Sequence, residues 1–131
     1  MKRYAFLCGS APWDYRQKKL ESLFESLIDN SVWHVDVFPN GINEFLLEYA
    51  LNNILSGNAG EKANGILLYF CCEESIKESD CSIWLCGDEI RKDVINHYEK
   101  LSRECEIDFQ VVYDCDCEFV SEESLGYEKA F

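Results

Sequence analysis

Positive charge is what this chain has little of. It carries 12 Lys and Arg against 25 Asp and Glu, a net charge of −13 over 131 residues. Phosphate backbones and anionic membrane surfaces would repel such a surface, so nucleic acid and membrane are excluded as main partners. Proline is nearly missing, with two residues, and glycine reaches only seven. No linker or low-complexity block breaks the sequence, and residues 1–131 read as one domain. The apolar share of 47% and aromatic share of 14% exclude a solvated acidic tail. No run approaches the roughly 18 apolar residues that a membrane span needs. The apolar stretch after Met1-Lys2-Arg3 stops at Gly9-Ser10, too early for a secretory h-region, and a cytoplasmic protein is expected.

Cysteine is abundant, but its useful spacings are missing. The eight cysteines stand at 8, 71, 72, 81, 86, 105, 115 and 117, with no Cys-x-x-Cys pair among them. Structural zinc favours such knuckles. Cys8, Cys71 and Cys72 continue apolar runs, where a thiol behaves as a small buried hydrophobe. A reducing compartment and free thiols are expected.

Hydrophobic periodicity sets out an alternating order of elements. Tyr4–Cys8 reads as a buried strand. Leu20, Leu23, Phe24, Leu27 and Ile28 form the stripe of a helix over 16–30. Val32–Phe38 follows as a strand, with His34 as a packed strand residue, and Pro39-Asn40-Gly41 closes it. A second helix is expected over 42–56, with Phe45, Leu46, Tyr49, Ala50 and Ile54 on its buried side. Gly65–Cys72 is the most apolar run, as in a strand covered on both faces. Ser82–Gly87 reads as a hairpin arm, Asp88 as the cap of a helix over 89–103, and Asp108–Tyr113 as a fourth strand. This order predicts an α/β three-layer sandwich, with a mostly parallel sheet of about four strands and a short hairpin before the third helix.

Ligands in such sheets bind beyond the carboxyl ends of the strands. That edge carries Gly9-Ser10, then Glu73 and Glu74, then Asp114, Cys115, Asp116, Cys117 and Glu118, a strongly anionic rim. Residues 104–128 hold nine acidic residues and no basic one, a solvated flank or a docking surface for a basic partner. Arg16, Lys18 and Lys19 form a small basic cluster, read as a solvated helix face; Trp13 and Trp84 fall in connecting regions and could line a cleft.

Arg3-Tyr4-Ala5-Phe6-Leu7-Cys8-Gly9-Ser10, Leu67-Leu68-Tyr69-Phe70 and Val111-Val112-Tyr113-Asp114, with the hairpin arm before the third helix, resemble the corresponding strands of the caspase-like cysteine peptidases. In that family the third strand runs into a turn bearing the catalytic histidine, and the fourth ends in Asp-Ala-Cys with the nucleophile. Carried over by position, the resemblance puts Glu73 at the histidine and Asp116 at the nucleophile, with Cys115 and Cys117 flanking it. A carboxylate pair cannot deprotonate and orient a thiol, and carboxylates beside a thiol raise its pKa. The resemblance therefore implies a caspase-like domain without its dyad, needing no cofactor. It would bind a basic peptide or partner protein through Glu73, Glu74, Asp114, Asp116 and Glu118, with dimerisation through the fourth strand as a second mode. Two catalytic alternatives stay open: a divergent peptidase using Cys115 or Cys117, and a Mg²⁺-dependent hydrolase. The latter rests on Asp114-x-Asp116-x-Glu118, which is similar to the opening motif of haloacid-dehalogenase-type phosphohydrolases and would suit a divalent cation.

Overall fold

The computed structural model describes residues 2–9, 15–29, 32–60, 62–71, 82–85 and 88–114. Along the chain come β1 (Lys2–Cys8), α1 (Tyr15–Ile28), β2 (Trp33–Phe38), α2 (Glu44–Ser56), β3 (Ala63–Cys71), β4 (Ser82–Leu85), β5 (Asp88–Arg91), α3 (Lys92–Glu104) and β6 (Asp108–Asp114). β2, β1, β3 and β6 lie side by side in that order, every pair parallel; β4 and β5 form a separate antiparallel hairpin. The α/β class, the parallel four-strand sheet and the hairpin before the third helix follow the expectation from sequence.

Alternation along β1 divides the interior between two cores. Tyr4, Phe6 and Cys8 join Ile66, Leu68 and Phe70 of β3 in a cluster with Leu47, Leu51 and Ile54 of α2, Ile95 and Tyr98 of α3, and Ile83 and Ile90 of the hairpin. Ala5 and Leu7 face Leu20 of α1 in a second cluster, flanked by Phe24, Val35, Val37, Leu67 and Tyr69. The continuous apolar run of β3 thus serves both clusters at once.

One register row ties all four strands together. Trp33, Arg3, Gly65 and Asp108 are successive partners from β2 to β6. The Arg3 guanidinium lies 5.1 Å from the Trp33 ring centre and reaches across β3 to Asp108 Oδ2 at 3.0 Å. A Cβ on Gly65 would come within 2.6 Å of Arg3 Cζ, so only glycine leaves that path open. A bulge beside Asn64 shifts the register between Lys2 and Arg3 and brings Gly65 into the row.

Two local expectations are corrected. Asp88 does not cap the third helix: it belongs to β5, and α3 begins only at Lys92, after an Arg91 that makes no side-chain cap bond. Ile90 decides this, because pairing opposite Ile83 buries it completely. On α2 the buried residues are Leu47, Leu51 and Ile54, while Phe45 and Tyr49 are 75% and 61% exposed and Leu46 is also outside. The helix has apolar residues on more than one side, the face carrying Leu47, Leu51 and Ile54 is the one that packs, and its first turn is tied in that orientation. Glu44 accepts from Arg91 N at 2.9 Å and from Arg91 Nη2 at 2.7 Å, and Asn43 Oδ1 accepts from Leu46 N at 2.8 Å.

Two outcomes follow. A Cβ at Gly9, which is buried at the end of β1, would meet the Pro39 carbonyl oxygen at 2.8 Å and Leu20 Cδ1 at 2.7 Å. Gly9→Ala should cost about 1–3 kcal/mol of overpacking, read as a fall in the urea midpoint. The second concerns pH. Hydrogen bonds from Arg91 hold the Glu44 carboxyl below the usual glutamate range. A depressed folded value means the contribution is full above the unfolded value of about 4.3 and disappears as pH falls through the folded one. The midpoint gap between wild type and Glu44→Gln should therefore be wide at neutral pH and close toward pH 3; an equal gap at both would contradict this origin.

Candidate functional site

The parallel register brings the carboxyl ends of the strands to one edge. Phe38, Cys8, Phe70 and Tyr113 are successive partners across the sheet, and Cys71 pairs with Asp114 one residue further. Asp114 is the only acidic residue of the sequence-derived set that falls among the described residues. Glu73, Glu74, Cys115, Asp116, Cys117 and Glu118 lie outside them, as does Trp13; Trp84 is in β4, without a described side chain.

Asp114 stands in a polar cluster that the sequence did not disclose. Its carboxylate accepts a hydrogen bond from the Tyr69 hydroxyl and lies 2.6 Å from Lys19 Nζ, and the side chain is only 19% exposed. Tyr69 comes from β3 and Lys19 from α1, and both meet the same oxygen, Asp114 Oδ2. Lys19 is thus not simply part of a solvated basic face, a correction that follows from where α1 crosses the strand ends. Alongside lies a shallow hollow lined by Lys19, Ser22, Leu23, Ser26 and Tyr69. On the preceding residue the Tyr113 ring stacks on Phe70 with centroids 6.0 Å apart, and Lys92 Nζ stands 5.0 Å from its centre. The described part of the rim is therefore mixed in sign, with a lysine beside Asp114 and another over Tyr113. Tyr69 is the residue that could have signalled this, since a tyrosine inside an apolar strand needs a partner for its hydroxyl.

The histidines stand elsewhere. His34 is on β2, the edge opposite β6 and roughly 14 Å away across three strand spacings of about 4.8 Å. Its side chain is half-exposed rather than packed, correcting the sequence expectation. His97 is exposed on α3, edge-on to Tyr98 at 5.1 Å. Cys8 and Cys71 are buried and Cys105 is exposed. Burial pushes the Cys8 thiol far up, away from the thiolate form that reacts or binds metal. Among the described residues no three His, Cys, Asp or Glu side chains converge as metal ligands. No described helix is long and apolar enough to cross a membrane.

No family model, no curated protein and no solved structure matches the chain.

The Asp114 cluster makes a stability prediction. Tyr69→Phe should lower stability by about 1.5–3 kcal/mol, because it removes a hydroxyl donor to a largely buried carboxylate. Lys19→Met should cost less than about 1 kcal/mol, since the ion pair reaches solvent on the lysine side. Urea denaturation of both variants checks the order, and a larger loss at Lys19 would assign the cluster's energy to charge instead.

Proposed function

We propose that the chain is a caspase-like domain without a His–Cys dyad, acting by binding a basic peptide or a basic surface of a partner protein at its strand-end edge. The observation that carries this reading is the pairing of Cys71 with Asp114. It ends the described parts of β3 and β6 side by side, and in the sequence Cys72-Glu73-Glu74 and Cys115-Asp116-Cys117-Glu118 come next. Further support comes from the hairpin between β3 and α3, and from the two cores on opposite sides of β1, as a three-layer arrangement requires. The separation of His34 from β6 favours binding over thiol catalysis at Cys115 or Cys117. The acid excess selects a cationic ligand and disfavours nucleic acid. Self-association through β6 is a second mode: within the described sheet this strand has β3 on one side only.

Fluorescence anisotropy with a labelled Arg/Lys-rich peptide tests the reading. Wild type should bind saturably, and the Glu73→Gln/Asp116→Asn double variant should bind at least about tenfold more weakly with an unchanged circular dichroism spectrum. Unchanged affinity would remove the strand-end edge from consideration. Cleavage of the peptide, lost in Cys115→Ala or Cys117→Ala, would replace the binding reading with the peptidase one. Saturable Mg²⁺ binding lost with Asp116 would replace it with the hydrolase one.

A further inference from the structure

The opposite edge of the sheet holds a second constellation, independent of the strand-end reading. β2 is unlike a strand covered by apolar groups on both faces. Trp33, Val35 and Val37 pack toward α1, but the alternate positions His34 and Asp36 are polar, with side chains 53% and 45% exposed. They stand in register beside Tyr4 and Phe6 of β1. Together with Ala50, Asn53, Ile54 and Ala59 on the α2 side, these four residues line a cavity of about 160 Å³. The Tyr4 and His34 rings meet in it at 5.5 Å and 59°, and His34 Nε2 lies 3.5 Å from Asp36 Oδ2.

The chemistry of this lining selects its occupant. Asp36 contributes a carboxylate to this lining, Asn53 a side-chain amide, Tyr4 and His34 aromatic rings, and Phe6 and Ile54 apolar surface. An anion would meet Asp36 and the field of a chain at −13. A structural metal would want about four ligands, and the described residues do not bring even three metal-ligating carboxylates, thiols and imidazoles together. A planar cation uses every element: it stacks on an aromatic ring, and its forked N–H groups reach a carboxylate and an amide carbonyl. We propose that the Tyr4–His34–Asp36–Asn53 pocket binds a guanidinium group, either of a free small molecule or of an arginine side chain.

Amide chemical-shift titration of the full chain tests this. The probes are methylguanidinium and an acetylated Gly-Arg-Gly amide. Saturable shifts are expected at His34, Asn53 and Ala59. Asp36→Asn should weaken them at least about tenfold, with Asn53→Leu as a second variant that keeps the carboxylate. Glu25→Gln, on α1, should leave them unchanged. Equal affinity for the two probes identifies a free guanidine as the ligand, and tighter binding of the peptide identifies an arginine side chain. Binding that persists in the Glu73→Gln/Asp116→Asn variant separates this pocket from the strand-end edge. No saturation with either probe, full affinity in Asp36→Asn, or equal binding of methylammonium would overturn the assignment.

Discussion

The Arg3 side chain is the constraint on which the described sheet turns. It starts on a central strand, stacks toward one edge on Trp33 and forms an ion pair toward the other with Asp108. Neither contact is strong by itself: a cation–π contact at an exposed site is worth about 0.5–1 kcal/mol and an exposed ion pair about 0–1 kcal/mol. Their importance is in register. A slip of one residue would turn every apolar side chain of a strand to the wrong face, and one row of mutually dependent partners across four strands excludes it. The bulge at Asn64 is part of the same device, because it brings a residue without a side chain beneath the guanidinium.

Register then determines what meets at the strand ends and along β2. Fixing Gly65 opposite Asp108 fixes Cys71 opposite Asp114, six residues on, and with it the approach of Tyr69 to the Asp114 carboxylate. Fixing Arg3 opposite Trp33 puts Tyr4 beside His34 and Phe6 beside Asp36, the inner wall of the guanidinium pocket. The scarce cations take part in this division. Arg3, Lys19, Arg91 and Arg103 each stand on a particular carboxylate, at Asp108, Asp114, Glu44 and Glu99. The acid excess is accordingly concentrated in what those pairs leave over.

Much of the fold was legible in the sequence, and the reasons differ by element. β3 declared itself because a strand feeding two cores must be apolar at successive positions, and α1 because Leu20, Leu23, Phe24 and Leu27 of its stripe share one side, although Ile28, read with them, is exposed. α2 did not: with Phe45, Leu46, Leu47, Tyr49, Ala50 and Leu51 all apolar, periodicity alone leaves its rotation open, and packing of Leu47, Leu51 and Ile54 against elements distant in sequence settles it. β5 was hidden because Asp88-Glu89 looks like a helix start, and only the burial of Ile90 against Ile83 outweighs that local preference. At the strand ends Asp114 was visible as an acid following an apolar strand, but Lys19 was not, since nothing in a helix sequence says which strand its charged flank will cross. His34 was misplaced for a related reason: that α2 leaves one side of β2 open is a property of the packing, not of the strand.

The partners of the Arg3 ion pair are 105 residues apart in a chain of 131. During synthesis, β1 and β3 have both emerged long before β6 exists to receive the guanidinium. For that interval β3, the most apolar strand, is itself an edge, its hydrogen-bonding groups open to any passing chain. Loop closure over such a distance also slows assembly relative to local pairing. The Arg3 ion pair therefore forms only once β6 has emerged, and until then the open edge of β3 is a site for aggregation.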